Sequence, residues 1–137
     1  EFNPDYLFQQ FANRSATIKS VLLAGHTVVG VGNIYASESL FKAAIDPTAP
    51  AKALSKEQTQ RLHHAIVETL QQALDSGGST LRDYLNASGE AGAYFDLHAQ
   101  IYAKAGQPCP RCQSPIQRMV QNQRATYFCA LCQGVKP

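Results

Sequence analysis

The 137-residue sequence predicts a mainly α fold with a small β-ribbon at its C-terminal end. Two observations predict this fold. Apolar residues recur at helical spacing through most of the first 77 residues, and the periodic segments start at capping residues and stop at glycine or proline. From about Ile101 the pattern changes to prolines and short β-like runs that flank four cysteines. We therefore expect a helical domain over residues 1–97 and a cysteine-containing domain over residues 98–137.

The composition is that of a soluble globular protein, with 45% hydrophobic and 16% charged residues. No apolar run approaches the length of a membrane span, so no membrane partner is expected. The first ten residues lack the basic and apolar regions of a signal peptide. Because the chain also starts without methionine, we interpret it as a fragment or a processed chain.

Two short helices are predicted first. Asn3-Pro4 fits an N-cap followed by proline at the first helical position, and an apolar stripe that ends at Phe11 gives this helix about two or three turns. A second helix is expected from about Ala16 to near Gly25, with its apolar residues facing inward. Lys19 would then point away from that apolar stripe.

Two further helices complete the predicted body. Asn33 is a good N-cap for a half-buried helix that ends before Pro47. The clearest helix follows, since the run from Ser55 to Gln58 fits a capping box and Gly77-Gly78 ends a long apolar period. Residues 79–96 have no sustained period, so we expect a mobile loop there after a short turn.

The four cysteines form two pairs, each with two residues between its members, and 16 residues separate the pairs. Each pair can bring two thiolates to one ion, and two pairs complete the tetrahedron that zinc prefers. Two disulfides in a secreted module are the alternative, which the missing export signal disfavours. Because four thiolates leave no position for water or substrate, we expect one structural Zn²⁺ and no metal-based catalysis. The expected ligands are Cys109, Cys112, Cys129 and Cys132.

Charge is distributed unevenly along the chain. Residues 1–96 carry a net −3, whereas residues 97–137 carry a net +5 and no acidic side chain. Four thiolates and one zinc ion lower the second value to about +3, which still suits a surface that faces a polyanion. Solubility alone is the simpler explanation of this basic section.

Two segments carry a resemblance to a known family: GVGNIYASESLF at residues 30–41 and QRATYFCALCQ at residues 123–133. Over essentially all of residues 1–133 the chain resembles the C-terminal half of the formamidopyrimidine-DNA glycosylases. The resemblance implies a helix-two-turn-helix helical domain followed by a four-cysteine zinc-finger β-hairpin. It also implies the DNA-binding portion of a bifunctional base-excision-repair DNA glycosylase/AP lyase, which removes oxidised purines such as 8-oxoguanine and formamidopyrimidines from damaged DNA.

The resemblance assigns DNA-binding roles to Arg14, Lys19, Asn33 and Arg124. Asn33 would bind a phosphate beside the lesion, in agreement with the free N–H groups and positive dipole end of a helix N-terminus, while an N-cap alone is the alternative. Lys19 matches a lysine near the damaged nucleotide's phosphate. Arg14 matches more loosely, and a solvated helix face is the alternative for both.

Arg124 would lie in the tip of the predicted hairpin, where its planar fork could bind phosphate. The resemblance also implies a catalytic role for it as a proton donor in δ-elimination. Because a guanidinium holds its proton tightly, we favour the phosphate-binding role. The segment from Asn86 to Phe95 resembles the family's loop that closes over an everted 8-oxoguanine, with a flexible linker as the alternative. The expected lesion-loop residues are Asn86, Ser88, Gly89, Glu90, Ala91, Gly92, Ala93 and Tyr94.

The chain departs from the family at its start. The family uses an N-terminal proline amine, followed by glutamate, to attack the sugar C1′, whereas this chain begins Glu1-Phe2-Asn3. We therefore expect it to be inactive alone. Its expected partners are the N-terminal catalytic domain of the same protein and double-stranded DNA that contains an oxidised purine or an abasic site. The resemblance further implies a monomer in the bacterial cytoplasm, associated with the nucleoid when it acts on DNA.

Two other classes of function remain open. A free-standing zinc-ribbon nucleic-acid-binding module would show the same cysteines and the same basic section. An independent hydrolase is disfavoured because no nucleophile, base and orienting group converge at a recognisable spacing. No chemical role is expected for His26, His63, His64 or His98, which lack the spacing of a second metal site.

Overall fold

The computed structural model describes residues 3–24, 33–77, 99–121 and 123–135. The predicted loop over residues 79–96 lies outside these described residues. Among the described residues, no helix is both long enough and apolar enough to span a membrane. The elements in chain order are α1 (Pro4–Phe11), α2 (Ile18–Leu23), α3 (Asn33–Lys42), a 3-10 turn (Ala51–Ala53), α4 (Lys56–Gly77), β1 (Gln117–Gln121), β2 (Arg124–Phe128) and α5 (Ala130–Gln133).

The helix starts follow from their capping residues. The Oδ1 atom of Asn3 accepts a hydrogen bond from the Tyr6 N–H at 2.8 Å, which confirms the predicted N-cap of α1. At α4 both bonds of the predicted capping box are present, from the Ser55 N–H to Gln58 Oε1 at 2.8 Å and from the Gln58 N–H to Ser55 Oγ at 3.1 Å. Helix α2 starts later than predicted because Thr17 caps it.

The helices enclose one apolar core. Helix α3 lies at its centre, and all seven of its residues from Tyr35 to Phe41 are buried. The sequence predicts a half-buried helix here, which is wrong because the C-terminal section covers the face of α3 that the other helices leave open. The buried apolar residues of this core are Leu7, Phe11, Ile18, Val21, Leu22, Tyr35, Ala36, Leu40, Ala43, Ile45, Ala51, Leu54, Leu62, Ala65, Ile66 and Ala99.

The C-terminal section, residues 99–121 and 123–135, is built on a two-stranded antiparallel ribbon, and we call it the ribbon section. Strands β1 and β2 pair in a register that sets Gln117 opposite Phe128 and Gln121 opposite Arg124. The predicted β-like runs are residues 116–120 and 125–128. Three of their four ends differ from the observed strands by one residue, and the fourth agrees. A second, smaller apolar cluster lies between α3 and the ribbon, and its buried members are Phe41, Ile101, Cys109, Ile116 and Cys129.

Candidate metal centre and nucleic-acid interface

The four cysteines come together as the sequence predicts. Their Sγ atoms all lie within 4.8 Å of one another, and they form the group with metal-binding geometry among the residues that the structure describes. None of the four is in a disulfide. Two Sγ–Sγ distances are 3.8 Å, between Cys109 and Cys132, and 3.4 Å, between Cys112 and Cys129. Zinc–sulfur bonds of about 2.3 Å in a tetrahedron place sulfur atoms about 3.8 Å apart, so this donor set fits one structural zinc ion.

The thiols differ in acidity when no metal is bound. Hydrogen bonding with Ser114 lowers the pKa of Cys112 to about 6. Burial raises the pKa of Cys129 and raises that of Cys132 to about 12. Zinc binds thiolates, so it must displace protons from Cys129 and Cys132. Metal affinity should therefore increase with pH.

A second cluster joins two helices to the ribbon at one backbone carbonyl. Lys19 Nζ, from α2, donates to the Ala125 carbonyl oxygen at 3.0 Å. Asn33 Nδ2, at the first turn of α3, donates to the same oxygen at 3.0 Å and to the Tyr102 hydroxyl at 3.1 Å. Arg124 is the exposed residue next to Ala125 at the start of β2. We call Lys19, Asn33 and Arg124 the three-donor cluster.

The side chain of Asn33 does not cap its helix. Its Oδ1 atom, which would accept a capping hydrogen bond, is buried without a partner among the described residues. The opposite amide orientation would bring two oxygens together at Ala125, so the Nδ2 atom must face the carbonyl. The N-cap interpretation is therefore wrong, and the side chain instead ties the start of α3 to the ribbon.

Lys19 is buried, with 1% of its surface exposed, although the sequence predicts that it points away from the apolar face of α2. That expectation is wrong because the ribbon covers this side of the helix. The Nζ atom also donates to Thr126 Oγ1 at 2.6 Å. Burial, together with the nearby positive charge of Arg124, lowers the pKa of Lys19 to about 8. No carboxylate is among the hydrogen-bond or ion-pair partners described for Lys19.

The other predicted site residues are more scattered. Arg124 is the first residue of β2 rather than part of the turn itself, and it pairs with Gln121. Arg14 lies between α1 and α2, where its N–H bonds to the Phe11 carbonyl and its own carbonyl accepts from the Lys52 N–H. These bonds do not bring it to the three-donor cluster. The predicted lesion-loop residues, from Asn86 to Tyr94, lie outside the described residues.

Sequence reasoning missed Glu38. This carboxylate is fully buried on α3 and accepts three backbone N–H bonds, from Gln100 at 2.7 Å, Ile101 at 2.9 Å and Tyr102 at 2.9 Å. It thereby fixes the backbone that carries the Tyr102 hydroxyl, the partner of Asn33. A signal was present, because Glu38 stands at the i+4 position after Ile34 in the apolar stripe of α3, where a charged residue must find partners.

Arg111 was also missed, and it joins the ribbon section to the other end of α3. Its guanidinium donates to the carbonyls of Phe41 at 2.9 Å and Lys42 at 3.0 Å and lies 4.5 Å from the centre of the Phe41 ring. Gln133 adds a buried bond, from Nε2 to the Ile45 carbonyl at 3.0 Å. Cationic groups at a helix C-terminus satisfy its unpaired carbonyls. The ribbon section is therefore bound along the whole length of α3.

Comparisons with known proteins agree with this geometry. Residues 1–84 match the family model of the formamidopyrimidine-DNA glycosylase H2TH domain, and residues 106–135 match the zinc finger found in FPG and IleRS. The formamidopyrimidine-DNA glycosylase of Bordetella pertussis is 59% identical over 132 residues, which are 96% of this chain and 48% of that protein. This chain spans about half the length of the curated relatives it matches.

Solved structures show the same fold. The MutM (Fpg) protein of Thermus thermophilus superposes with a TM-score of 0.84 at 36% identity, over 99% of this chain and 52% of that one. The Lactococcus lactis Fpg in complex with DNA containing an abasic site gives a TM-score of 0.82 at 33% identity, over 96% of this chain and 47% of that one. The resemblance that the two segments carried is thus confirmed, and the chain belongs to the formamidopyrimidine-DNA glycosylase family.

Proposed function

We propose that this chain is the DNA-binding part of a bifunctional DNA glycosylase/AP lyase that removes oxidised purines from damaged DNA. In this proposal the three-donor cluster binds phosphates of duplex DNA around the lesion or an abasic site. The zinc-bound ribbon holds Arg124 beside the two helix residues. The loop from Asn86 to Tyr94 closes over the everted base, and the catalytic nucleophile lies in an N-terminal domain of the same protein.

The observation that carries the proposal is that Lys19 is buried without a carboxylate partner among the residues that the structure describes. A buried ammonium group is costly unless it is paired, yet the described partners of Lys19 are a carbonyl and a hydroxyl. Arg124 adds a second positive charge close enough to lower the pKa of Lys19. A phosphate between the two cations would attract both and compensate one of their two positive charges, and DNA supplies further phosphates in register.

Asn33 supports the same site from the end of α3. Both hydrogens of its Nδ2 atom are donated, to Tyr102 and to Ala125. A phosphate oxygen would therefore replace one of these acceptors, and the N-terminal N–H groups of α3 would add to the attraction. Arg124 would bind phosphate through its planar fork. Proton donation by Arg124 in δ-elimination is the less favoured part of the proposal because a guanidinium holds its proton tightly.

A binding experiment tests the three-donor cluster directly. Duplex DNA with a stable abasic-site analogue is titrated with the chain and with Lys19→Ala, Asn33→Ala and Arg124→Ala, and affinity is followed by fluorescence anisotropy. Each variant should bind about 1–3 kcal/mol more weakly, and affinity should fall as salt rises. Arg118→Ala is the matched control, since Arg118 is an exposed arginine on β1 at the opposite end of the ribbon. Unchanged affinity in all three variants would refute the proposed surface.

A trapping experiment tests the division of labour between this chain and the N-terminal domain. Opening the sugar through an imine needs an amine that is unprotonated near neutral pH. Lys19 has a pKa of about 8, so near neutral pH it is mostly protonated and is not this amine. Borohydride reduction on an abasic duplex should therefore give no adduct with this chain, while an intact family member is trapped in parallel. An adduct formed at the rate of the intact enzyme would place the nucleophile within these residues.

A further inference from the structure

Thr126 sits behind Lys19 in a directed chain of hydrogen bonds. Its side chain is fully buried, accepts from Lys19 Nζ at 2.6 Å, and donates through Oγ1 to Gln121 Oε1 at 2.7 Å. The amide of Gln121 in turn donates from Nε2 to the Pro47 carbonyl at 3.2 Å. This series of hydrogen bonds therefore runs from α2 across both strands to the segment that follows α3.

The order of donors along these hydrogen bonds decides which way the Thr126 hydroxyl points. A threonine hydroxyl has one hydrogen, and here that hydrogen is committed to Gln121. The Pro47 carbonyl fixes the orientation of the Gln121 amide, because only its NH₂ group can donate to that carbonyl. The lone pairs of Thr126 Oγ1 are thus turned toward Lys19, which as an ammonium group can only donate.

We propose that Thr126 and Gln121 are positioning residues that hold the Lys19 ammonium group, charged and correctly placed, for a DNA phosphate. Lysine is a flexible side chain with a compact charge, and its affinity for one phosphate depends on where that charge is held. Thr126 and the Ala125 carbonyl hold it from the protein side. This inference rests on the proposed function, since it takes Lys19 to be a phosphate ligand.

A role limited to packing predicts a different result from a positioning role. An acceptor that bonds to an ammonium group favours its charged form, so removing the Thr126 hydroxyl should lower the pKa of Lys19 below its value of about 8. Among the described residues Arg124 is the charged group that also acts on Lys19, and it remains in place in such a variant. A hydroxyl that only filled space would leave the titration of Lys19 where it is.

The test compares Thr126→Val, Thr126→Ser and Thr59→Val in the full chain with zinc bound. Valine keeps the shape of threonine without its hydroxyl, and serine keeps the hydroxyl. Thr59 is a matched control, because it is also fully buried but donates to the Ser55 carbonyl at the start of α4. Thr126→Val should bind the abasic-analogue duplex about 10-fold more weakly and lower the pKa of Lys19 in side-chain NMR titrations, while Thr126→Ser restores both. Thr59→Val should change neither.

Gln121→Leu gives a second arm that leaves Thr126 in place. Without Gln121 the threonine hydrogen is free to turn toward Lys19, so binding should fall about 3-fold. This variant decides the question if Thr126→Val loses zinc or helical signal. Parent-like affinity and Lys19 titration in the folded variants, with weak binding by Lys19→Ala, would overturn the inference and leave the proposed function standing. Parent-like binding by Lys19→Ala would overturn the inference, and parent-like binding by Asn33→Ala and Arg124→Ala as well would overturn the proposed function.

Discussion

The helical body and the ribbon section achieve stability by different means. The body, residues 3–77 without the segment 25–32, buries a continuous apolar core drawn from all four of its helices. The apolar cluster of the ribbon section has five buried members, of which two are cysteines of the metal centre and one is Phe41, contributed by α3. The helices can exclude water by themselves, whereas the ribbon section depends on a metal ion and on a surface provided by the body.

The difference shows why α3 carries so many polar contacts. A section with little core cannot be oriented by apolar packing alone, so its position is fixed by directed bonds. Asn33, Glu38 and the C-terminal carbonyls of α3 bond to the ribbon section at the start, middle and end of the helix. The proposed DNA-binding surface lies at the first of these three attachments. Its geometry should therefore respond to changes in either section.

Zinc removal should produce the largest difference between the two sections. Chelation, or replacement of the buried ligand in Cys129→Ser, should unfold the ribbon section and leave most of the helical circular-dichroism signal, since structural zinc contributes about 10–16 kcal/mol in zinc-finger peptides. Elemental analysis should give one zinc per chain, and heteronuclear NMR should show which amide signals collapse. Two disulfides and no metal in protein purified under reducing conditions would contradict the proposed zinc site. Loss of the helices together with the ribbon would contradict the independent stability of the helical body.

Glu38→Gln should have the next largest effect because it breaks an attachment and leaves both cores intact. The amide places an NH₂ group against backbone N–H donors in a fully buried site, which we expect to cost about 3 kcal/mol in the free energy of unfolding. Amide exchange at residues 100–102 should accelerate more than exchange in α4. Glu57→Gln is the control, since this carboxylate is 82% exposed and lies 3.9 Å from Arg61. Equal effects of the two substitutions would show that the Glu38 carboxylate does not orient the ribbon section.

The elements that local chemistry decides were predictable from the sequence. The N-cap at Asn3, the capping box at Ser55 and each pair of zinc ligands depend on residues three positions apart, and their spacing is enough to identify them. The four helices and the β-ribbon were predicted for the same reason. Short terminal structures such as α5 were not, because its four residues have no period to detect.

The parts of the site that could not be predicted depend on contacts between residues far apart in sequence. Lys19 and Thr126 are 107 positions apart, and no local pattern shows that the ribbon covers the outer face of α2. Glu38 was detectable only as a charge in an apolar stripe, and its backbone partners have no side-chain signature. The sequence therefore indicated the donors that the proposal assigns to DNA, while the burial of Lys19 and the acceptor that it shares with Asn33 at Ala125 emerged only from the fold.

The smallest expected effect concerns the pH dependence of stability at the junction of the two sections. The folded state lowers the pKa of Lys19 from 10.5 to about 8, so between these values the unfolded chain binds more protons than the folded one. Stability contributed by this group must then rise with pH across that window, because burying the charged form is what opposes folding below pH 8. Urea unfolding of the parent chain and Lys19→Met, compared at each pH, separates this effect from groups common to both. The parent should gain about 2 kcal/mol relative to the variant from pH 8 to 10.5.

Lys52→Met, which removes an exposed lysine, controls for the loss of one positive charge from the chain. A parent that loses stability relative to Lys19→Met as pH rises would mean that the ammonium group stabilises the DNA-free junction. Such a result would mean that the charge of Lys19 is already compensated without DNA, and the proposed phosphate site would lose its main support.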